Sequence, residues 1–112
     1  MNIRTAEQSE VKEFQLYDAD NAGNSFIVVE HDGALVGFAQ YEDWGDEAKI
    51  YFMESNLNGA GRAMIEWFQA NFEVVGAMNA VEEARPFYAH FGFDDVRKNG
   101  WANQVDMFWY AE

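Results

Sequence analysis

The sequence predicts a single α+β domain over residues 1–112, with elements in the order β-α-β-β-β-α-β-α-β-β. Three observations lead to that reading. Apolar residues recur at helical spacing in three places, around Val11, Met64 and Phe87. Short runs of strand-forming residues alternate with them, each bounded by Asp, Asn or Gly. Hydrophobic residues make up 49% of the chain and aromatics 17%, enough to fill one core.

A short strand around Asn2 to Arg4 opens the chain. Thr5-Ala6-Glu7-Gln8 fits a capping box, in which Thr5 and Gln8 satisfy each other's free backbone donors. Val11, Phe14 and Tyr17 then mark the buried face of a helix, which the turn formers Asp20 to Asn24 end. Phe26 to Val29 reads as a strand and Leu35 to Tyr41 as its return, joined by His31-Asp32-Gly33, where Asp-Gly supplies the positive φ of a tight hairpin. An acidic bend, Glu42 to Asp46, leads into the apolar segment Ala48 to Met53, expected as a central strand.

The next helix, Gly61 to Phe72, carries Met64, Ile65, Phe68 and Phe72 on one face, as a helix lying on a sheet requires. Val74 to Met78 is a further strand. Glu82 and Glu83 suit a helix N-terminus, Pro86 its first turn, and Ala84, Phe87, Tyr88 and Phe91 its buried face. Gly92 is placed as the residue that ends it. Phe93 to Arg97 pairs with Trp101 to Tyr110 through Asn99-Gly100 in a closing hairpin.

Seven basic against twenty acidic residues give a net charge of −13, which disfavours a nucleic-acid backbone as a direct ligand. Solubility is the simplest use of that charge, and basic proteins or polyamines are the partners it would attract. The absence of cysteine excludes disulfides, thiolate metal sites and a cysteine nucleophile. His31 and His90 have no second ligand at metal spacing, so no metal is expected. With no apolar run near the ~20 residues of a membrane span and no apolar stretch after Met1, a soluble cytoplasmic protein is expected.

Asn56-Leu57-Asn58-Gly59-Ala60-Gly61-Arg62 runs from the fourth strand into the second helix. Glycines there leave backbone N–H groups unhindered, and a helix start adds partial positive charge, the makings of a phosphate cradle. A dinucleotide fingerprint would need a third glycine where Met64 stands, and a P-loop would need Gly-Lys-Ser/Thr. Together with Ala84-Arg85-Pro86-Phe87-Tyr88-Ala89-His90-Phe91-Gly92-Phe93, this loop resembles the GCN5-related N-acetyltransferases (GNAT) over nearly the whole chain. The likeness implies a mixed, mostly antiparallel central sheet flanked by helices, and transfer of an acetyl group from acetyl-coenzyme A to an amine.

The resemblance also implies roles. Backbone groups of Tyr51, Phe52 and Met53 would pair with the pantetheine arm like an added strand. N–H groups of Leu57, Asn58, Gly59, Ala60, Gly61, Arg62 and Ala63 would hold the pyrophosphate. Tyr88 aligns with the tyrosine that protonates the departing thiolate; the alternative is a plain core aromatic. Glu47 is the first candidate for the base that deprotonates the amine, with Asp46, Glu42 and Glu54 as alternatives, unless a water chain serves.

The sequence departs from the family's pattern at three points. Asn56 replaces the leading Gln or Arg of the loop, leaving Arg62 as its cation. Val81 stands where the family often has Asn, and the nearby Asn79 either reaches the cofactor or, better, caps the next helix. Only about 20 residues separate the first two strands, which opens the acceptor side. A small-molecule amine or a lysine of a basic protein would then be the acceptor. The alternative reading is a catalytically weak acidic protein that binds and blocks a basic surface. A homodimer through Trp101, Phe108, Trp109 and Tyr110 of the last hairpin is also expected.

Overall fold

The computed structural model describes residues 1–14, 25–100 and 103–112. Strands β1 (Asn2–Ala6), β2 (Ser25–His31), β3 (Ala34–Asp43), β4 (Glu47–Ser55), β5 (Val74–Val81), β6 (Asp95–Lys98) and β7 (Gln104–Tyr110) form one sheet in the order β1-β2-β3-β4-β5-β7-β6. Only β4 and β5 run parallel; every other neighbouring pair is antiparallel. The expected mixed, mostly antiparallel sheet and its element order are therefore present.

Because successive strand residues point to opposite faces, β2 and β3 feed two separate apolar clusters. Phe26, Val28 and Phe38 meet Val11 and Phe14 beneath helix α1 (Gln8–Val11). Ile27, Val29, Ala39 and Tyr41 face the other side, with Ala48, Ile50, Val75 and Met107, beneath helix α2 (Ala60–Asn71). Met64, Ile65 and Phe68 of α2 are wholly buried there, and Phe72 packs against them, as the helical spacing predicts. Phe68 stands edge-on to Tyr41, ring centres 5.0 Å apart. Burial of each such side chain contributes about 1.5–3 kcal/mol.

The β2–β3 turn follows the expected chemistry: Asp32 and Gly33 have φ of 52° and 80°, the two positive angles that match strand twist in a two-residue hairpin. Three local expectations are corrected. Thr5 pairs with Ile27 inside β1, and the box at the start of α1 is formed by Glu7 and Glu10, whose Oε1 accepts the Glu7 N–H at 3.1 Å. Arg4 holds Glu10 in place at 2.7 Å, a pairing across six residues that local spacing does not reveal. The last hairpin closes through Lys98 and Val105, so its loop is wider than Asn99-Gly100. Helix α3 (Arg85–His90) follows a single 3-10 turn (Glu82–Ala84), with Pro86 in its first turn and Gly92, φ 90°, just past its end. Its expected buried face is only half-buried, since so short a helix covers little of the sheet; Phe93 behind it is fully buried.

In β7, Trp109 packs on the α2-side core while Tyr110 stays exposed and Phe108 lies half-buried on the opposite face. Tyr110 donates its hydroxyl proton to Asp95, which Arg97 also holds at 2.8 Å. Tyr17, the turn at Asp20 to Asn24, and Trp101 lie outside the described residues.

Candidate functional site

β4 and β5 pair over four positions only, Glu47 with Val74 through Ile50 with Ala77, and then part. Two bulges cause the separation. On β4, Tyr51 is an extra residue between Ile50 and Phe52, which pair with Tyr41 and Gln40 of β3. On β5, Met78 and Asn79 both face the single residue Asp106 of β7, and Asn79 takes φ 56°. Each bulge turns its strand away from the other. The backbone edges of β4 and β5 that face each other beyond this point are left without strand partners.

The space between them is a cleft of about 450 Å³, lined by Tyr51, Phe52 and Met53 on one wall, Met78 to Val81 on the other, and Ala84, Tyr88 and Gln104 around it. All three residues expected to meet the pantetheine arm therefore line one cleft together with Tyr88. Tyr88 is held by Phe87 and Phe93, ring centres 5.3 and 5.5 Å away, and its carbonyl accepts the N–H groups of Phe91 and Phe93. Its hydroxyl has no hydrogen-bond partner among the described residues. Burial pushes that hydroxyl up to about 12, so it keeps its proton at any physiological pH. Tyr51 is raised to about 12 as well, first by burial, then by donating to the Glu42 carboxylate and by the charges of Glu42 and Asp106.

Beyond the end of β4 lies the Gly-x-Gly loop. Gly59 caps α2 with φ 93°, a conformation that favours glycine. The Ala60 N–H is already engaged with the Leu57 carbonyl at 3.0 Å and the Ala63 N–H with that of Gly59 at 3.0 Å. The N–H groups of Leu57, Asn58, Gly59, Gly61 and Arg62 have no partner among the described residues, which narrows the expected cradle to those five. Gly61 serves packing as well: a Cβ there would meet Phe87 Cζ at 3.3 Å, so its absence lets α2 and α3 approach. Arg62, the cation of the loop, is turned along its helix to Glu66 at 3.3 Å. The donors, the open strand edges and the unpartnered hydroxyl fit a phosphorylated, extended thioester carrier.

Glu47 stands four residues before Tyr51, roughly 13 Å along the strand, where β4 and β5 are still paired, and does not line the cleft. Asp46 and Glu54 do not line it either. Glu42 is tied to Tyr51, one of the lining residues. Asn79 is not a helix cap: it forms the β5 bulge, its N–H donating to Asp106 Oδ1 at 3.0 Å, which corrects the sequence expectation. Val81 is exposed at the cleft. Sequence reasoning missed the wall formed by Met78, Ala80 and Gln104. Asn79 carried a usable signal, since Asn tolerates the left-handed region better than most residues. Among the described residues no group of three His, Asp or Glu is placed to hold a metal, and no helix is long and apolar enough to cross a membrane.

No family model and no curated protein sequence matches the chain. Solved structures do. The ribosomal-protein-S18-alanine N-acetyltransferase of Escherichia coli superposes with a TM-score of 0.54 at 18% identity, over 74% of this chain and 64% of the other. A GNAT family acetyltransferase from Elizabethkingia anophelis with acetyl-CoA bound gives 0.55 at 14% identity, over 77% and 75%. A Bacteroides thetaiotaomicron protein assigned to the GNAT acetyltransferases gives 0.61 at 17% identity, over all of this chain and 88% of the other. The chain spans less than two thirds of the length of the Escherichia coli enzyme. At such identities the similarity is one of architecture, and the architecture is plain: this chain has the GCN5-related N-acetyltransferase fold.

Proposed function

We propose that the protein is an acetyl-coenzyme A-dependent N-acetyltransferase acting on a primary amine. The observation that carries this reading is the parting of β4 from β5 beside a Gly-x-Gly helix start, with the Tyr88 hydroxyl unpartnered at the cleft. Acetyl-coenzyme A, when bound, supplies the activated acyl group. The unpaired backbone groups of Tyr51 to Met53 orient an extended chain by strand-like hydrogen bonds. Free N–H groups between Leu57 and Arg62, with the α2 dipole behind them, hold phosphate oxygens. Tyr88 holds a proton on its phenol oxygen and presents it to a departing sulfur.

An amine is protonated at neutral pH and must lose a proton before it attacks. Glu42, carried to the site by Tyr51, and Glu47, at the start of β4, are the carboxylates to test for that role. The acidic bend from Glu42 to Glu47 favours a cationic acceptor, a lysine of a basic protein or a small polyamine. Titration calorimetry with acetyl-coenzyme A and coenzyme A is the direct test. Binding in the micromolar range is expected, and none at millimolar ligand would overturn the reading.

A second reading has one observation in its favour: Arg62 is shared with Glu66, so the loop offers no free cation to phosphate. On that reading the fold serves as an acidic binding protein for a basic surface. A partner retained by Gly61→Glu, and released by ~1 M salt, would favour it over catalysis.

A further inference from the structure

Arg85 and Lys98 line one concavity of this acidic chain. We propose that together they form an anion site beside the cleft, taking a phosphate or carboxylate group. Both line a concavity of about 270 Å³, closed by Gly100, Asn103, Gln104 and Val105. Arg85 donates from Nη2 to the Asn103 carbonyl at 3.1 Å, while its Nε is buried and has no hydrogen-bond partner among the described residues. A buried N–H of a charged group left unmet is unfavourable, and a turn of the side chain that brings it to an acceptor oxygen held in the concavity would relieve it.

The contrast with the other arginines is direct. Arg4, Arg62 and Arg97 each pair with a carboxylate of the chain. Among the described residues neither Arg85 nor Lys98 makes an ion pair, although the sequence holds twenty acids. The guanidinium edge at Nε suits a pair of oxygens, and Lys98 adds a point charge. Gln104 lines both this concavity and the cleft, so an anion held here is part of, or next to, whatever occupies the cleft. Two sources have the same chemistry: the 3′-phosphate of a coenzyme A donor, or an anionic group on a second ligand.

The test begins with inorganic phosphate and does not depend on the acetyltransferase reading. Thermal unfolding is followed in potassium phosphate and in potassium chloride at equal ionic strength, for wild type, Arg85→Lys, Arg85→Gln and Lys98→Gln. Phosphate should raise the wild-type Tm more than chloride does, with the difference lost in Arg85→Gln and reduced in Lys98→Gln. Lys98 is an exposed residue of an edge strand, so its variant keeps the test usable even if Arg85→Gln folds poorly. Calorimetry with coenzyme A and 3′-dephospho-coenzyme A then separates the sources. A preference of about tenfold for coenzyme A that Lys98→Gln abolishes assigns the anion to the 3′-phosphate. Equal affinities, with phosphate still stabilising the protein at saturating coenzyme A, assign it to a second ligand. A phosphate effect no larger than that of chloride, or one undiminished in both Arg85→Gln and Lys98→Gln, overturns the site.

Discussion

Asp106 Oδ1 accepts the backbone N–H of Asn79 at 3.0 Å, tying β7 to the residue of β5 whose positive φ forms the bulge beyond the point where that strand parts from β4. Asn99 Nδ2 reaches the same oxygen at 3.0 Å and Asn79 Oδ1 at 2.7 Å. The cleft wall is therefore clamped from the side away from the cleft. Asp106→Ala should cost about 1–2 kcal/mol in urea unfolding and weaken acetyl-coenzyme A binding several-fold. Asp106→Asn, which keeps an acceptor oxygen, should recover most of both; failure to do so would refute the clamp.

Asn79 itself is a backbone device. Asn79→Gly should leave stability within about 1 kcal/mol of wild type, because glycine adopts φ 56° freely. Asn79→Val should lose about 1–3 kcal/mol, since a β-branched side chain strains that conformation. Equal stabilities for the two variants would show that the bulge is not held by its φ.

How much of this could be read from the sequence depends on the range of the physics. Met64, Ile65 and Phe68 announce α2 because a period is a local property, and Asp32-Gly33 announces its turn for the same reason. The Gly59-Ala60-Gly61 turn into α2 was legible on the same grounds. The β5 wall of the cleft was not, because a bulge is a mismatch of register between strands distant in sequence, here Met78-Asn79 against Asp106. The Thr5–Gln8 box failed similarly: β1 pairs with β2, twenty residues on, and claims Thr5 first.

Tyr88→Phe should keep the fold, for the hydroxyl makes no hydrogen bond among the described residues. Acetyl transfer should fall about 10- to 100-fold if the phenol donates to the departing sulfur. Stability against pH gives an independent readout. The folded-state value is raised from 10.0 to about 12, so the unfolded chain releases its proton first as pH rises. The stabilisation is whole below pH 10 and is lost as pH climbs towards 12, by roughly 2–3 kcal/mol. Tyr88→Phe should flatten that alkaline limb; an unchanged limb would contradict the buried phenol.

Glu66→Gln should tighten coenzyme A binding about two- to fivefold, by releasing Arg62 from its carboxylate. Both side chains are exposed, so stability should change by less than about 0.5 kcal/mol. Weaker binding in this variant would mean that Arg62 is needed where it now lies.

Gly76 lies directly under the Phe108 ring, where a Cβ would come within 2.8 Å of Cε1. Arg97 sits over that ring at 5.0 Å and limits its retreat. Gly76→Ala should lose about 1–3 kcal/mol, and adding Phe108→Leu should recover part of it in a double-mutant cycle. Strict additivity would show that the two positions are not coupled.

The four paired positions between β4 and β5 have a mechanical meaning. Among the described residues they are the strand pairing that joins the β1–β4 half of the molecule to the β5–β7 half, extended at one end by the Glu73 and Val74 N–H groups on the Asp46 carbonyl, with α2 as the covalent strap between the halves. A ligand that lies along both open edges completes this seam, and its binding free energy becomes cohesion between the halves. Slowed amide exchange should then appear first at Tyr51 to Met53 and Met78 to Ala80, the two rims where the zip stops.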